Sequence, residues 1–419
     1  MPASAKPSGF DREPWRQAAD WMLVALAASL PWSTTATLIL AALWLIALLP
    51  TLERQDVRTV LASPAAWLVL ALIGFGALGM LWADVTFKER ISGFDSYVKL
   101  FAIPLLFMHL RHSAIGWRVL HAFILSCALL LALAVLSYFF AGSFERLAKM
   151  PGVPVKDYLA QSAVFSLAAM GCFLLARQSW ERDARSRAVG FLALGIAFLI
   201  DITFLISSRT ALVSIPVLLL VLVIKTYDGK RAAAFAAIIA FAALAVGLLQ
   251  PTVSARLAKL WSEVEIYRAD NTRTSAGERL EFWKKSVGFI AQAPLLGHGT
   301  GTIRSRFERV ASGQGASALI AANPHNQTLA VGIQLGFAGM ALLFAMWLAH
   351  LALFRGAGLA AAIGALVVVQ NIAGSLFNSH LFDFTHGWLY VIGVGVAGGV
   401  VLAQRERADI SHRDVVAPP

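Results

Sequence analysis

The feature that most constrains this chain is a charge-poor apolar block of roughly 18–20 residues that recurs along the sequence. A helix of that length crosses the ~30 Å hydrocarbon layer of a membrane. Only 14% of the 419 residues are charged, whereas a soluble domain carries about a quarter, and the mean hydropathy is +0.70. The sequence therefore predicts an all-α polytopic membrane protein of about 12 transmembrane helices.

The apolar blocks divide the chain into three parts. An N-terminal transmembrane bundle of about nine spans is predicted for 1–250, a long loop for 251–325, and about three further spans with a tail for 326–419. The predicted spans are 18–33, 34–52, 65–82, 96–110, 119–141, 159–176, 188–206, 209–225, 232–250, 326–354, 359–377 and 385–403.

The distribution of basic residues predicts the orientation of the spans. With a cytoplasmic N-terminus, the cytoplasmic loops hold 18 of the 35 Lys and Arg residues, and segment 251–325 holds 10. Long loops are translocated largely regardless of charge, so those ten do not oppose this orientation. We expect a multi-pass protein of the bacterial inner membrane with both termini cytoplasmic and the long loop periplasmic.

The long loop is predicted to contain two amphipathic helices that lie at the membrane surface or pack on the bundle. The first spans Val253–Arg268, and its apolar face comprises Leu257, Leu260, Trp261 and Val264. The second spans Glu278–Gln292, and its apolar face comprises Leu280, Trp283, Val287 and Ile290. Pro294 and the run from Gly297 to Gly301 are expected to end this helix in a flexible turn.

Several chemistries find no support in the sequence. Cys127 and Cys172 lie inside apolar blocks and are interpreted as small hydrophobic residues. Walker A, HExxH, Asp-x-Asp and GxSxG motifs are absent, so no metal or other cofactor is predicted. The formal charge of +11 is explained by topology and anionic lipid headgroups, and no nucleic-acid partner is expected.

The strongest local signal is Asn323-Pro324-His325-Asn326-Gln327, where the long loop meets the next span. Proline can open a helix, so His325 is predicted at or near the first helical turn. Histidine suits proton transfer near neutral pH, and a helix N-terminus disfavours its protonated form. The functional hypothesis is a neutral imidazole that accepts a proton; the alternative is a histidine that only caps a helix.

Arginines form a second group of candidates. Arg209 follows Ser207-Ser208 in a tight outside connection, where its guanidinium would bind phosphate oxygens or extend to lipid headgroups. Arg279 precedes Trp283 by four residues, and an arginine on an amphipathic helix is normally just solvated. Lys88 and Arg90 face the same compartment, and headgroups explain them better than a lipid-linked phosphate. Asp201 is expected to pair with a basic residue.

Together these elements resemble the O-antigen ligase family, within the wider group that includes O-antigen polymerases and protein O-oligosaccharyltransferases. The resemblance is carried by the turn ending in Arg209, the Arg279-x-x-x-Trp283 element, the stretch from Pro294 to Gly301, the Pro324-His325-Asn326 element and Gly336. The order of spans and loops resembles that of the family over nearly the whole chain, whereas matching residues are found at only about a dozen positions.

The resemblance implies transfer of a glycan from undecaprenyl-diphosphate-linked O-antigen to the lipid A–core oligosaccharide at the periplasmic face. It further implies a fold similar to the C-type glycosyltransferases. Our hypothesis for the mechanism is a direct displacement that inverts the anomeric carbon and uses no metal. Carried over residue by residue, His325 would be the catalytic base, and Arg209 and Arg279 would bind the donor diphosphate. Apart from the resemblance, Lys88 and Arg90 are kept as candidates for secondary phosphate contacts because of their position in an outside loop.

Two alternatives remain open. An O-antigen polymerase or a protein O-oligosaccharyltransferase would use the same donor and chemistry. A flippase or transporter of lipid-linked sugars would instead place functional charges near the middle of the membrane, in inverted repeats with broken helices. The candidate charges of this chain are predicted at one membrane surface.

Overall fold

The computed structural model describes residues 11–140, 150–206, 209–249 and 251–416, and these residues form helices joined by short connections. The helices are α1 (Glu13–Ser29), α2 (Thr34–Leu48), α3 (Arg54–Leu61), α4 (Pro64–Leu78), α5 (Phe87–Val98), α6 (Ala102–Arg111), α7 (Gly116–Phe139), α8 (Tyr158–Glu181), α9 (Arg185–Ile200), α10 (Arg209–Thr226), α11 (Gly229–Leu249), α12 (Pro251–Asp270), α13 (Ser275–Gln292), α14 (Ile303–Val310), α15 (Gln327–Leu353), α16 (Leu359–Ser375) and α17 (Phe384–Val416). A π-helical segment, Asp201–Ile206, continues α9.

Within the described residues, seven helical stretches are long and apolar enough to cross a membrane, and an eighth is counted if α3 and α4, bent by 89°, form one broken span. The seven are Thr34–Thr51, Phe87–Arg111, Gly116–Phe139, Tyr158–Glu181, Arg185–Ile206, Gln327–Leu353 and Phe384–Asp409. A helix overlaps each of the twelve predicted spans. The chain is thus an all-helical multi-pass membrane protein, and the number of twelve crossings stays a prediction.

The centre of the bundle is α8, which packs against α7, α9, α10, α16 and α17. The Asp157 carboxylate begins this helix by accepting hydrogen bonds from the backbone N–H groups of Leu159 and Ala160. Most of α8 is buried on every side, as expected for a helix whose residues are small or apolar all round. The main apolar core forms around it.

Helix α15 is broken near its N-terminal end, and the break is where the long loop attaches to the bundle. Gly336 adopts φ +60°, which interrupts the helical hydrogen bonds. The freed carbonyls of Ile333 and Gln334 accept from the backbone N–H groups of His298 and Gly299. Beyond the break, the N–H groups of Phe337 and Ala338 donate to the carbonyls of Pro294 and Leu295.

We name residues 294–301 the strap. The helix ends in a turn here as predicted, but the turn is closely packed instead of flexible: Gly297, Gly299 and Gly301 approach neighbouring backbone so closely that a Cβ atom would clash. A Cβ on Gly299, for example, would lie 2.4 Å from the Cα of Ala83. The glycines make this approach feasible, and the strap is thereby packed rather than loose.

The two predicted loop helices are confirmed as α12 and α13. The predicted face of the second is right for Ile290, which is buried, and wrong for Val287, which is exposed; Phe282, Ser286 and Phe289 are buried instead. The aromatic residues of this face form an apolar cluster with Phe307 of α14 and Ile333 of α15, separate from the main core. Tertiary packing, through a helix that the sequence analysis did not predict, therefore selects the buried face of α13.

Candidate functional site

His325 lies just before the first residues of α15 rather than within its first turn. The side chain of Asn326 caps the helix by accepting from the N–H of Leu329, so His325 remains outside the helical hydrogen bonds. The histidine has φ +53°, a left-handed conformation that is uncommon for a residue other than glycine. Such strain persists where surrounding contacts impose it, and it is found preferentially at functional sites.

The contacts that impose this conformation come from two asparagine side chains. The backbone N–H of His325 donates to Oδ1 of Asn323 (2.8 Å), which also accepts from the hydroxyl of Ser379 (2.7 Å). Nδ2 of Asn323 donates to Oδ1 of Asn378 (2.9 Å). The same oxygen lies 3.1 Å from Nδ1 of the His325 ring. Residues 53 positions apart in sequence thus share one hydrogen-bond network.

The segment that carries Asn378 joins α16 to α17, and we name residues 376–383 the site loop. Nδ2 of Asn326 donates to the carbonyl of Leu376 at its beginning. The buried side-chain oxygen of Gln327 accepts from the N–H groups of Leu381 and Phe382. These contacts tie both ends of the site loop to the start of α15, which orders the residues around His325.

At its far end the site loop is also held by Lys99, which follows α5. Nζ of Lys99 donates to the carbonyls of Phe382 (3.1 Å) and Asp383 (2.7 Å). The Asp383 carboxylate accepts from the backbone N–H of His386 and lies 2.7 Å from Nδ1 of the same residue. These residues hold the loop in position.

The described residues contain no group of three or more His, Cys, Asp or Glu placed to hold a metal ion.

Helix α13 covers the other side of the imidazole. Phe282 stacks on the His325 ring, with centroids 6.1 Å apart and the planes tilted by 21°. Arg279 and Glu278, one turn earlier, both act electrostatically on His325. Burial lowers the pKa of His325 below its usual value and Arg279 lowers it further, although the Asn378 hydrogen bond and Glu278 oppose them. The structure thus places Arg279 close enough to His325 to lower its pKa, and burial and this charge both favour the neutral imidazole.

The remaining predicted residues have no described contact with His325. Arg209 begins α10, but its side chain, like Ser207 and Ser208, lies outside the described residues. Arg90 donates to the backbone carbonyls of Met80 and Val85, so this guanidinium supports its own turn, while Lys88 is exposed. Among the described residues, Asp201 accepts a hydrogen bond from the side-chain amide of Gln161 (3.4 Å), and its expected pairing with a basic residue stays a prediction.

Asn323, Asn378 and Ser379 are the site residues that the sequence analysis did not single out. Asn323 was visible as the start of the Asn-Pro-His-Asn-Gln element. The run Asn378-Ser379-His380 is a polar interruption between two apolar blocks, and this was the available signal for the site loop. Its pairing with His325 depends on tertiary structure and could not be inferred from spacing.

The family model described as O-antigen ligase matches residues 194–344, a segment that extends from α9 into α15. It therefore contains Arg209, Arg279 and His325 together with the strap. Comparison with curated proteins gives no match. Members of the matched family are glycosyltransferase-like enzymes. The match agrees with the resemblance carried by the motifs, and the chain therefore carries the O-antigen ligase family domain.

Proposed function

We propose that this protein is an O-antigen ligase that transfers a glycan from undecaprenyl diphosphate to the lipid A–core oligosaccharide at the periplasmic face of the inner membrane. The observation that carries the proposal is the position of His325, whose ring stacks on Phe282 of α13 and contacts Asn378 of the site loop, with its pKa lowered by burial and by the charge of Arg279. Together with the family domain, this arrangement supports base-assisted glycosyl transfer from a phosphorylated donor.

The proposed reaction is a single displacement with inversion at the anomeric carbon. The acceptor hydroxyl oxygen forms a bond to that carbon while its proton passes to Nε2 of His325, the ring nitrogen that Asn378 does not engage. The bond between the anomeric carbon and the donor oxygen breaks, and its electron pair leaves with undecaprenyl diphosphate. The resulting imidazolium, disfavoured by burial and by Arg279, then releases its proton to water.

The leaving diphosphate gains negative charge as the bond breaks. We propose that Arg209 and Arg279 bind it, because guanidinium groups match phosphate oxygens in a bidentate geometry. Lys88, which is exposed, is proposed as a secondary phosphate contact, and Arg90 could share this role only through the part of its guanidinium that does not donate to Met80 and Val85. A lipid-linked diphosphate is already an activated donor, so the proposed reaction requires neither ATP nor a metal ion.

The test is transfer from a defined undecaprenyl-diphosphate-linked glycan, with lipid A–core, a second lipid-linked glycan and a pilin offered separately. We expect transfer to lipid A–core, and we expect His325→Ala to reduce the rate ~10²- to 10⁴-fold, the typical contribution of a positioned general base. The matched control is His121→Ala. His121 is exposed, and within the described residues its hydrogen bond is to the carbonyl of Trp117 in its own helix.

Full activity of the His325→Ala variant with purified substrates would refute the catalytic role of this residue. Transfer only to the second lipid-linked glycan would indicate a polymerase, and transfer only to the pilin would indicate a protein O-oligosaccharyltransferase. Either result would overturn the ligase assignment while retaining the chemistry.

A further inference from the structure

We propose that Asn378 is a positioning residue that fixes the tautomer of His325, with the proton on Nδ1 and the lone pair of Nε2 directed to the acceptor hydroxyl. The proposal rests on the proposed function, because a general base requires an unprotonated ring nitrogen that faces its substrate. It assigns a role to a residue on the site loop, which lies outside the matched family segment.

The orientation of the Asn323 amide follows from a backbone donor. The N–H of His325 can only donate, and it lies 2.8 Å from the amide atom of Asn323 that faces it. That atom must therefore be the oxygen, and the Ser379 hydroxyl can donate to it as well. The other amide atom of Asn323 is then the nitrogen, which points to Asn378 as a donor.

The orientation of the Asn378 amide follows from a second backbone donor. The N–H of Ser379 lies 3.0 Å from the side-chain atom of Asn378, so that atom must also be an oxygen. The donor from Asn323 reaches the same atom at 2.9 Å and gives the same assignment. Two independent donors thus exclude a flipped amide, in which the nitrogen would face N–H groups.

The consequence for His325 is direct. Its Nδ1 lies 3.1 Å from an atom identified as a carbonyl oxygen, which can accept a hydrogen bond but cannot donate one. In the neutral ring Nδ1 must then carry the proton, and Nε2 carries the lone pair. Because Gln327 and Asn326 tie the site loop to α15, the acceptor is held in place before substrate arrives.

The first experiment compares the pH dependence of transfer for the wild type, Asn378→Ala and Asn378→Asp. Among the described residues, the charged groups that act on His325 are Arg279 and Glu278, and both are unchanged in these variants. The Asn378 bond raises the pKa of His325, so its loss in the alanine variant should move the acidic limb of the profile to lower pH. The aspartate retains the acceptor oxygen and adds a negative charge that raises the pKa of His325. The acidic limb of the Asn378→Asp profile should therefore move to higher pH.

We expect Asn378→Ala to lower the plateau rate about 10- to 100-fold, the range seen when outer-shell partners of metal-bound histidines are lost. At pH values above its acidic limb, Asn378→Asp should retain more activity than Asn378→Ala. The matched control is Gln17→Ala, which removes an exposed side-chain amide that donates to Glu13 within α1, and the acidic limb of its pH profile should not move. Equal losses in both Asn378 variants without opposite shifts would overturn the proposal.

The second experiment measures the tautomer without requiring catalysis. In protein labelled with ¹⁵N-histidine, the His325 signals are identified by their loss in His325→Gln, and we expect a protonated Nδ1 and an unprotonated Nε2 at neutral pH. A protonated Nε2 in an active wild-type enzyme would overturn this inference alone. The expected tautomer in a protein that transfers no lipid-linked glycan would overturn the proposed function and leave the tautomer assignment intact.

Discussion

The strap and the site loop both attach to the first half of α15, but backbone groups hold the first and side chains hold the second. The strap is held mainly by backbone hydrogen bonds to the broken helix, such as those from His298 and Gly299. The site loop is held mainly by side chains, through Asn326, Gln327 and Lys99. Backbone bonding requires only residues small enough to approach, whereas side-chain bonding requires particular chemical groups.

The same contrast separates the two histidines of these regions. His298 belongs to the strap, and its Nε2 donates to the carbonyl of Phe289 (2.8 Å), a contact that anchors the strap to α13. Nδ1 of His325 faces a side-chain amide, which leaves Nε2 as the candidate base. Burial lowers the pKa of both rings. A lowered pKa alone therefore does not distinguish an anchoring histidine from a proposed catalytic one, and the partner of each nitrogen does.

The largest expected effect is on folding and concerns the strap. Gly299→Ala places a Cβ 2.4 Å from the Cα of Ala83 at φ +95°, so overpacking adds ~1–3 kcal/mol to a backbone strain of ~1–3 kcal/mol. We expect a large loss of folded, monodisperse protein and a lower unfolding temperature in detergent. Gly313→Ala is the matched control, because Gly313 has φ +67° but no atom within 4 Å of its would-be Cβ.

If the two alanine variants were equally destabilised, close packing of the strap would not be what these glycines provide, and the comparison with the site loop would fail.

A smaller effect is expected at the site and should leave folding intact. In Arg279→Lys a point charge replaces the guanidinium fork, with loss of a charge-assisted hydrogen bond of ~1.5–3 kcal/mol to the diphosphate. We expect kcat/KM for the lipid-linked donor to fall about 10- to 100-fold. Arg304→Lys is the control, since Arg304 is exposed and paired with Glu308 one turn away.

If Arg279→Lys lowered the unfolding temperature but left the transfer rate unchanged, Arg279 would support the fold and would not bind the diphosphate.

Most of the helices could be predicted from the sequence because span length and amphipathic period are local properties, whereas the short helices α3 and α14 were not predicted. The structure places α12 and α13 within three residues of the predicted stretches, and the Pro-His-Asn element identified His325. The strap could not be predicted, because a glycine run indicates a turn equally well when it is loose and when it is packed. Its packing depends on the break at Gly336, and the role of Asn378 depends on contacts between distant segments.

The smallest expected effect concerns pH and sharpens the contrast between the two histidines. Because burial and Arg279 lower the pKa of His325, the unprotonated base should persist to a pH below the usual histidine range, and transfer should decline only in more acidic solution. Glu278 raises this pKa, so Glu278→Gln should move the acidic limb to lower pH. His298→Ala removes an anchoring hydrogen bond worth about 1 kcal/mol and should lower stability without moving the limb. A limb that moved with His298→Ala and not with Glu278→Gln would reverse the roles of the strap and the site.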